Sequence, residues 1–266
     1  MPTVRGITGM KRFFPIGRDV RRSVGGYNPA GPYVPQAQES PMITVARNGT
    51  GDFEDIQKAL NSLPSTGGSV HVREGTYELT ASLVIPSNTI LLGDGMGTIL
   101  VARAVGVPDD LINLSGKTNV KIMDLKFEFY FGDAGYIINT DNSDGIIFDK
   151  IIFKPKVDIN NEVFLLYGST PAVRLRLLNC IYDDSEGEIR YCCGSINKAQ
   201  IEGNRFDGMA FAFIDADFTN CIITQNFFSS IDMTAGDNNN IVTSNQTDTV
   251  ITNVGTGNQV ANNVVF

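Results

Sequence analysis

The chain has 266 residues, 42% of them hydrophobic and 19% charged, with a formal net charge of −8 at neutral pH. That composition builds a core and excludes a disordered polyelectrolyte. No apolar run approaches the ~20 residues of a membrane-spanning helix, and the opening MPTVRGITGMKRFF lacks the apolar core of a secretory signal, so folding in a cytoplasm is expected.

Residues 1–42 differ from the rest. Six basic side chains (Arg5, Lys11, Arg12, Arg18, Arg21, Arg22) stand against Asp19 and Glu39, a net +4, which leaves −12 for residues 43–266. Gly25-Gly26, Asn28-Pro29, Gly31-Pro32 and Pro35 break any periodicity, so this segment cannot bury a core of its own. It is expected to be an extended arm. Its charges are interleaved with Phe13, Phe14, Ile16, Tyr27 and Tyr33, a mixture suited to a protein groove rather than to nucleic acid.

The stretch that follows organises the remainder. Asp52 reads as an N-cap, and Phe53, Ile56, Ala59, Leu60 and Leu63 recur at helical spacing, so a capped helix is expected over about 52–63. Pro64 and Gly67-Gly68 end it. Beyond them Val70, Val72, Tyr77, Leu79, Leu83, Ile85 and Ile90 to Leu92 fall in short strands whose turns are too irregular for two-residue hairpins.

VARNGTGDFEDIQKALNSL resembles the opening of pectin methylesterases, and GGSVHVREGTYELTASLVIPSNTILLGDGMGTIL resembles the first rungs of pectate-lyase-like and phage tailspike domains. The resemblance implies an all-β fold, a right-handed single-stranded parallel β-helix with an N-terminal capping α-helix, preceded here by the extended arm. It does not imply an activity, because one fold hosts enzymes and inert virion proteins alike. The aspartates and arginine of the methylesterase motifs have no counterparts here.

From residue 113 the chain repeats inexactly. LRLLNCIY, AQIEGNRF, CIITQNFF, IVTSNQTD and QVANNVVF carry Asn179, Asn204, Asn226, Asn245 and Asn263, a period near 20 residues that marks a solenoid of short strands. The asparagines are expected to ladder at a bend repeated in each coil, and Phe206, Phe227 and Phe228 to stack in the core.

Little points to chemistry. With a single histidine, His71, far from Cys180, Cys192, Cys193 and Cys221, and no CxxC, a zinc site is not expected, and the thiols read as small buried residues. Asn139-Thr140-Asp141 and Asp183-Asp184 resemble parts of polygalacturonase motifs, but the histidine motif is missing. The run from Asp183 through Glu186 and Glu188 to Arg190 could hold calcium beside an arginine, or be a solvated loop, which is the simpler reading. No catalytic residue, metal or cofactor is assigned, and Asp141, Asp144, Asp183, Asp184 and Glu186 are not expected to converge.

The functional reading is therefore a structural virion protein of a bacteriophage-like virus, a trimeric capsid decoration or cement protein. Arg5, Lys11, Arg12, Phe13, Phe14, Ile16, Arg18, Arg21 and Arg22 would anchor it to a major capsid or tail protein. Val264, Val265 and Phe266 would close the last coil in a homotrimer. Neither nucleic acid nor membrane is expected as a partner. A tailspike or polysaccharide-cleaving enzyme, with carbohydrate as ligand, is the alternative.

Overall fold

The computed structural model describes residues 41–102, 110–129, 135–155, 163–167, 170–183, 195–212, 218–234, 236–249 and 251–266. Within them every strand pairs in parallel with a strand of the neighbouring coil, so the chain is a parallel β-helix. A first stack begins with Met42–Val45 and Gly68–Val72 and ends with Ile241–Thr243 and Gln259–Ala261. Its register places Ile43, Val70, Leu91, Ile122, Phe148, Leu177, Ile201, Ile223, Val242 and Val260 in one column. Val70 through Val242 in that column are fully buried. In-register parallel pairing sets each side chain over its counterpart about 4.8 Å away, so an apolar residue at one rung demands another at the next.

The second stack runs from Gly75–Leu79 to Val264–Val265. Its inward column reads Tyr77, Leu100, Phe127, Phe153, Tyr182, Phe206, Phe228, Thr247 and Val265. Phe127 stacks on Phe153 with centroids 5.8 Å apart, and Phe206 on Phe228 at 5.4 Å. Phe227 does not join this core. Strand alternation turns adjacent residues to opposite faces, so Phe227 lies half-buried on the outer side, with the Arg205 guanidinium 6.0 Å from its ring centre. A third stack comprises Leu83–Val84, Asp110–Asn113, Gly135–Asn139 and Val163–Tyr167, and a separate patch comprises Ala172–Val173, Ile196–Asn197 and Phe218–Thr219.

Between the first and second stacks each of several coils turns on one residue with positive φ: Asp124, Lys150, Asn179, Gly203, Gln225, Ser244 and Asn262. The following residue is buried in each of these coils but the last, where Asn263 is partly exposed. Asn204 donates its backbone N–H to Asn226 Oδ1 at 3.0 Å, Asn226 to Asn245 Oδ1 at 3.0 Å, and Asn245 to Asn263 Oδ1 at 2.9 Å. Asparagine fits because its oxygen accepts from the preceding coil while its amide donates both to a carbonyl of that coil and to the next asparagine's oxygen, as Asn226 Nδ2 does to Ile201 O and Asn245 Oδ1. The repeat expected from the sequence is corrected at one place: Asn179 occupies the positive-φ position, and Cys180 stands in the ladder column, its N–H donating to Asn204 Oδ1 at 2.8 Å. The ladder spacings are thus 24, 22, 19 and 18 residues.

The helix is shorter than the spacing of its apolar residues implies. It spans Ile56–Asn61, and its N-cap is Asp55, whose carboxylate accepts from Lys58 N at 2.8 Å. Asp52 is used elsewhere, accepting from Thr44 N at 2.8 Å, and Phe53 forms a parallel bridge with Val45. Those bonds tie residues 52 and 53 to the first strand, and the helix starts beyond them. Ile56, Ala59 and Leu60 are buried against the strands Met42–Val45, Gly68–Val72 and Leu83–Val84. The Gln57 side-chain amide accepts from Val84 N at 2.8 Å and donates to Val84 O at 3.0 Å, supplying the bonds that a strand would. The Arg47 guanidinium likewise donates to Thr76 O.

Candidate functional site

Three of the acidic side chains singled out in the sequence, Asp141, Asp144 and Asp183, are each tied to a neighbouring coil. Asp144 lies in the bend before the first stack, where Arg174 of the next coil clasps it through two bonds, Nε to Oδ1 at 2.7 Å and Nη2 to Oδ2 at 2.6 Å. This guanidinium holds the Asp144 carboxyl below the usual aspartate range. Asp141 Oδ1 accepts from Thr170 N at 2.5 Å. Asp183 follows the second-stack strand Ile181–Tyr182 and accepts from Lys154 Nζ at 2.8 Å. Lys121 pairs with Asp149 at 3.3 Å, again from coil to coil. Asp184, Glu186 and Arg190 lie outside the described residues.

A second polar cluster sits near the first coils. His71 Nε2 and Asp94 Oδ1 are 2.6 Å apart, Glu74 N donates to Asp94 Oδ2 at 3.1 Å, and Arg73 approaches the same carboxylate to 3.9 Å. Arg73, Glu74 and Asp94, with Arg47, Asn48 and Thr50, border a cleft of about 440 Å³. Burial pushes the Asp94 carboxyl up, but the His71 bond, the Glu74 N–H and the nearby charge of Arg73 outweigh it and leave the group below its ordinary value of 3.8.

The sign of the linkage follows. A carboxyl with a depressed folded-state pKa contributes stability that is present above the unfolded value and is lost as pH falls through the folded one. Urea melts of wild type and Asp94→Asn are therefore expected to differ near neutral pH, with the variant weaker, and to converge as the pH drops below 3.8. A difference that grows on acidification would contradict the assignment.

Cys180 and Cys221 are buried, free thiols, as the sequence implied; Cys192 and Cys193 lie outside the described residues. Burial pushes the Cys221 thiol up to about 12, which leaves it un-ionised and inert as a nucleophile. Its position discloses a feature that the sequence reading missed. Cys221 N donates to Asn240 Oδ1 at 2.9 Å, and Asn240 N to Asn258 Oδ1 at 2.9 Å, a second asparagine ladder at the corner before the first stack. Sγ of Cys221 accepts from Ala199 N at 3.2 Å, standing in for the amide oxygen of a ladder asparagine.

Arg5, Lys11, Arg12, Phe13, Phe14, Ile16, Arg18, Arg21 and Arg22 lie outside the described residues. Val264, Val265 and Phe266 are 48%, 47% and 74% exposed, although Val265 stands in the column that is buried in earlier coils. Among the described residues no group of three or more His, Cys, Asp or Glu side chains could hold a metal ion, and no helix is long and apolar enough to cross a membrane.

No family model matches the chain. Over 65 residues it is 37% identical to pectinesterase/pectinesterase inhibitor 38 of Arabidopsis thaliana, a match covering 22% of this chain and only 14% of that protein. Among solved structures it is similar to the pectin methylesterase of Erwinia chrysanthemi, with a TM-score of 0.48, 12% identity, and coverage of 83% of this chain and 81% of the other. It is also similar to a protein of Geobacillus virus E2, with a TM-score of 0.37, 13% identity, and coverage of 82% and 59% respectively. The chain's structural neighbours thus include pectin methylesterases and a virus protein, and its own strand pairings show a parallel β-helix.

Proposed function

We propose that this chain is a structural virion protein of a bacteriophage-like virus, a trimeric decoration or cement protein held to a major capsid or tail protein by residues 1–42. The observation that carries the reading is the use of its carboxylates. Asp144 and Asp183 are each spent on a cation of a neighbouring coil. Glycosidic chemistry would call for two carboxyls facing each other across a sugar, roughly 5–10 Å apart. The division of charge, +4 in residues 1–42 against −12 beyond, supports docking of the arm on an acidic partner.

In this reading Phe13, Phe14 and Ile16 fill apolar pockets of the partner, while Arg18, Arg21 and Arg22 orient the encounter, an effect that salt weakens. Ordering some 40 residues costs on the order of 1–2 kcal/mol each in backbone entropy, so the arm has to bury an extended surface. Assembly would take place in the host cytoplasm, and Val264, Val265 and Phe266 would meet their counterparts in the trimer.

The test is a variant lacking residues 1–38, which retains Pro41, whose carbonyl accepts from Ser69 N, and the first strand Met42–Val45. It is expected to keep the circular dichroism of the full chain and to lose binding to particles. Decoration equal to that of the full chain would overturn the anchoring role. Release of reducing ends from a bacterial polysaccharide, lost in Asp183→Ala, would overturn the non-catalytic reading.

A further inference from the structure

Asn48-Gly49 is the only Asn-Gly step in the sequence, and it stands in the exposed loop 47–50 beyond the first strand. The loop holds the Asn48 side chain by its oxygen alone. Oδ1 accepts from Thr50 N at 3.1 Å and from Thr50 Oγ1 at 2.6 Å, whereas no described residue takes a bond from Nδ2. Gly49 has φ 75, where a side chain would be strained, and its N–H is only loosely engaged, with Ala46 O 3.4 Å away. The space above it is open: a Cβ there would meet only Glu54 Oε1, at 3.7 Å.

We propose that Asn48 is a self-modification site, at which the folded loop converts the side-chain amide to a carboxyl with water as the co-reactant. Gly49 N attacks Asn48 Cγ and gives its proton to solvent as the N–C bond forms. The carbonyl electrons move onto Oδ1, the tetrahedral centre collapses, and the Cγ–Nδ2 bond breaks as Nδ2 takes up a proton and leaves as ammonia. Water then opens the resulting cyclic imide at either carbonyl, giving aspartate or isoaspartate. The imide ring contains only atoms of residues 48 and 49, so the chain itself holds the reactants together. The two Thr50 donors are aimed at the oxygen on which negative charge develops, the arrangement that stabilises an oxyanion.

The ladder asparagines are placed to resist this chemistry. Asn204, Asn226 and Asn245 are buried, and each Nδ2 is bound to a carbonyl of the preceding coil and to the next Oδ1, which hinders both the entry of water and the departure of ammonia. At Asn48 the product changes its surroundings in two ways. In the cleft that Asn48 lines, Arg47 and Arg73 stand against Glu74 and Asp94, so a new carboxylate turns a balanced set of charges acidic. In the isoaspartyl form an extra backbone carbon also lengthens the loop between Val45 and Phe53, which are joined by a parallel bridge. The loop thereby carries a permanent mark of the protein's age.

The experiment incubates the full-length protein at neutral pH, folded in buffer and unfolded in guanidinium chloride, and follows the Asn48 peptide by mass spectrometry and isoaspartate detection. The folded chain is expected to convert Asn48 about tenfold faster than the unfolded one, with the ladder asparagines unchanged. Thr50→Val removes the hydroxyl donor at an exposed position. It is expected to slow the folded chain about tenfold and to leave the unfolded rate unaltered, a split that a general loosening of the fold would not produce. Thr50→Ser keeps the donor and should keep the wild-type rate. Conversion no faster in the folded chain than in the unfolded one, conversion elsewhere in preference to Asn48, or equal folded rates in wild type and Thr50→Val would each overturn the proposal.

Discussion

Asn226→Ala is expected to destabilise the protein by about 3 kcal/mol or more, because it leaves several buried partners unsatisfied at about 1–3 kcal/mol each. Its Oδ1 accepts from both Asn204 N and Asn204 Nδ2, and its Nδ2 donates to Ile201 O and to Asn245 Oδ1. Asn226 is itself buried, so water does not replace these bonds. Asn226→Asp separates the two halves of the side chain: it retains the oxygen that accepts both Asn204 bonds, removes both donations and buries a charge beside the Asn245 oxygen. It is expected to be at least as damaging as alanine near neutral pH and to recover as the carboxyl is protonated, since the depressed stability belongs to the charged form. Urea denaturation across pH reads both effects. A loss below about 1 kcal/mol for Asn226→Ala, within the range of an exposed hydrogen bond, would show that the ladder follows the coil rather than holding it.

The ladder also shows what the sequence could and could not disclose. A period near 20 residues and strands of alternating polarity are visible in the letters, and they lead to a solenoid. Register is another matter. NCIY at Asn179 looks like NRF at Asn204, yet the first asparagine turns the chain and the second ladders, and only the hydrogen bond from Cys180 N to Asn204 Oδ1 tells them apart. The coils contract from 24 to 18 residues along the ladder, so no fixed spacing can align them. The second ladder was concealed by chemistry, because Cys221 takes an asparagine position and accepts the same backbone bond through sulfur. Asp52 reads as the N-cap on paper, yet Asp55 caps the helix, because Thr44 N claims Asp52. The outward turn of Phe227 had a legible signal, because the residue following a ladder asparagine faces away from the core once the ladder is fixed. The charges of residues 1–42 were equally plain in the sequence, whereas their partner is a property of another molecule.

Phe206→Ala is expected to cost about 3–5 kcal/mol, the usual range for removing a buried phenylalanine. Phe206 is fully buried between Tyr182 and Phe228 in the inward column of the second stack, 5.4 Å from the Phe228 ring and nearly parallel to it at 20°. Its coil neighbours are fixed by backbone pairing on both sides, so the void cannot close by collapse, and the cavity adds to the lost transfer energy. Phe228→Ala should cost less. On its far side the column continues as Thr247, whose hydroxyl is turned to Thr249 O at 2.7 Å, so among the described residues the column itself gives this ring one aromatic neighbour where Phe206 has two. The double variant should fall short of the sum of the two single losses by about 0.5–1.5 kcal/mol, the stacking term that each single variant already removes. Because each coil of a solenoid touches only its neighbours, the loss at Phe206 weakens the junction between the coils before and after it. A shallower urea transition, with the C-terminal coils exchanging amide protons ahead of the first ones, is the expected mark of that broken coupling. A single transition of unchanged slope, shifted by less than about 1 kcal/mol, would mean that the aromatic column is filler and that the asparagine ladders alone join coil to coil.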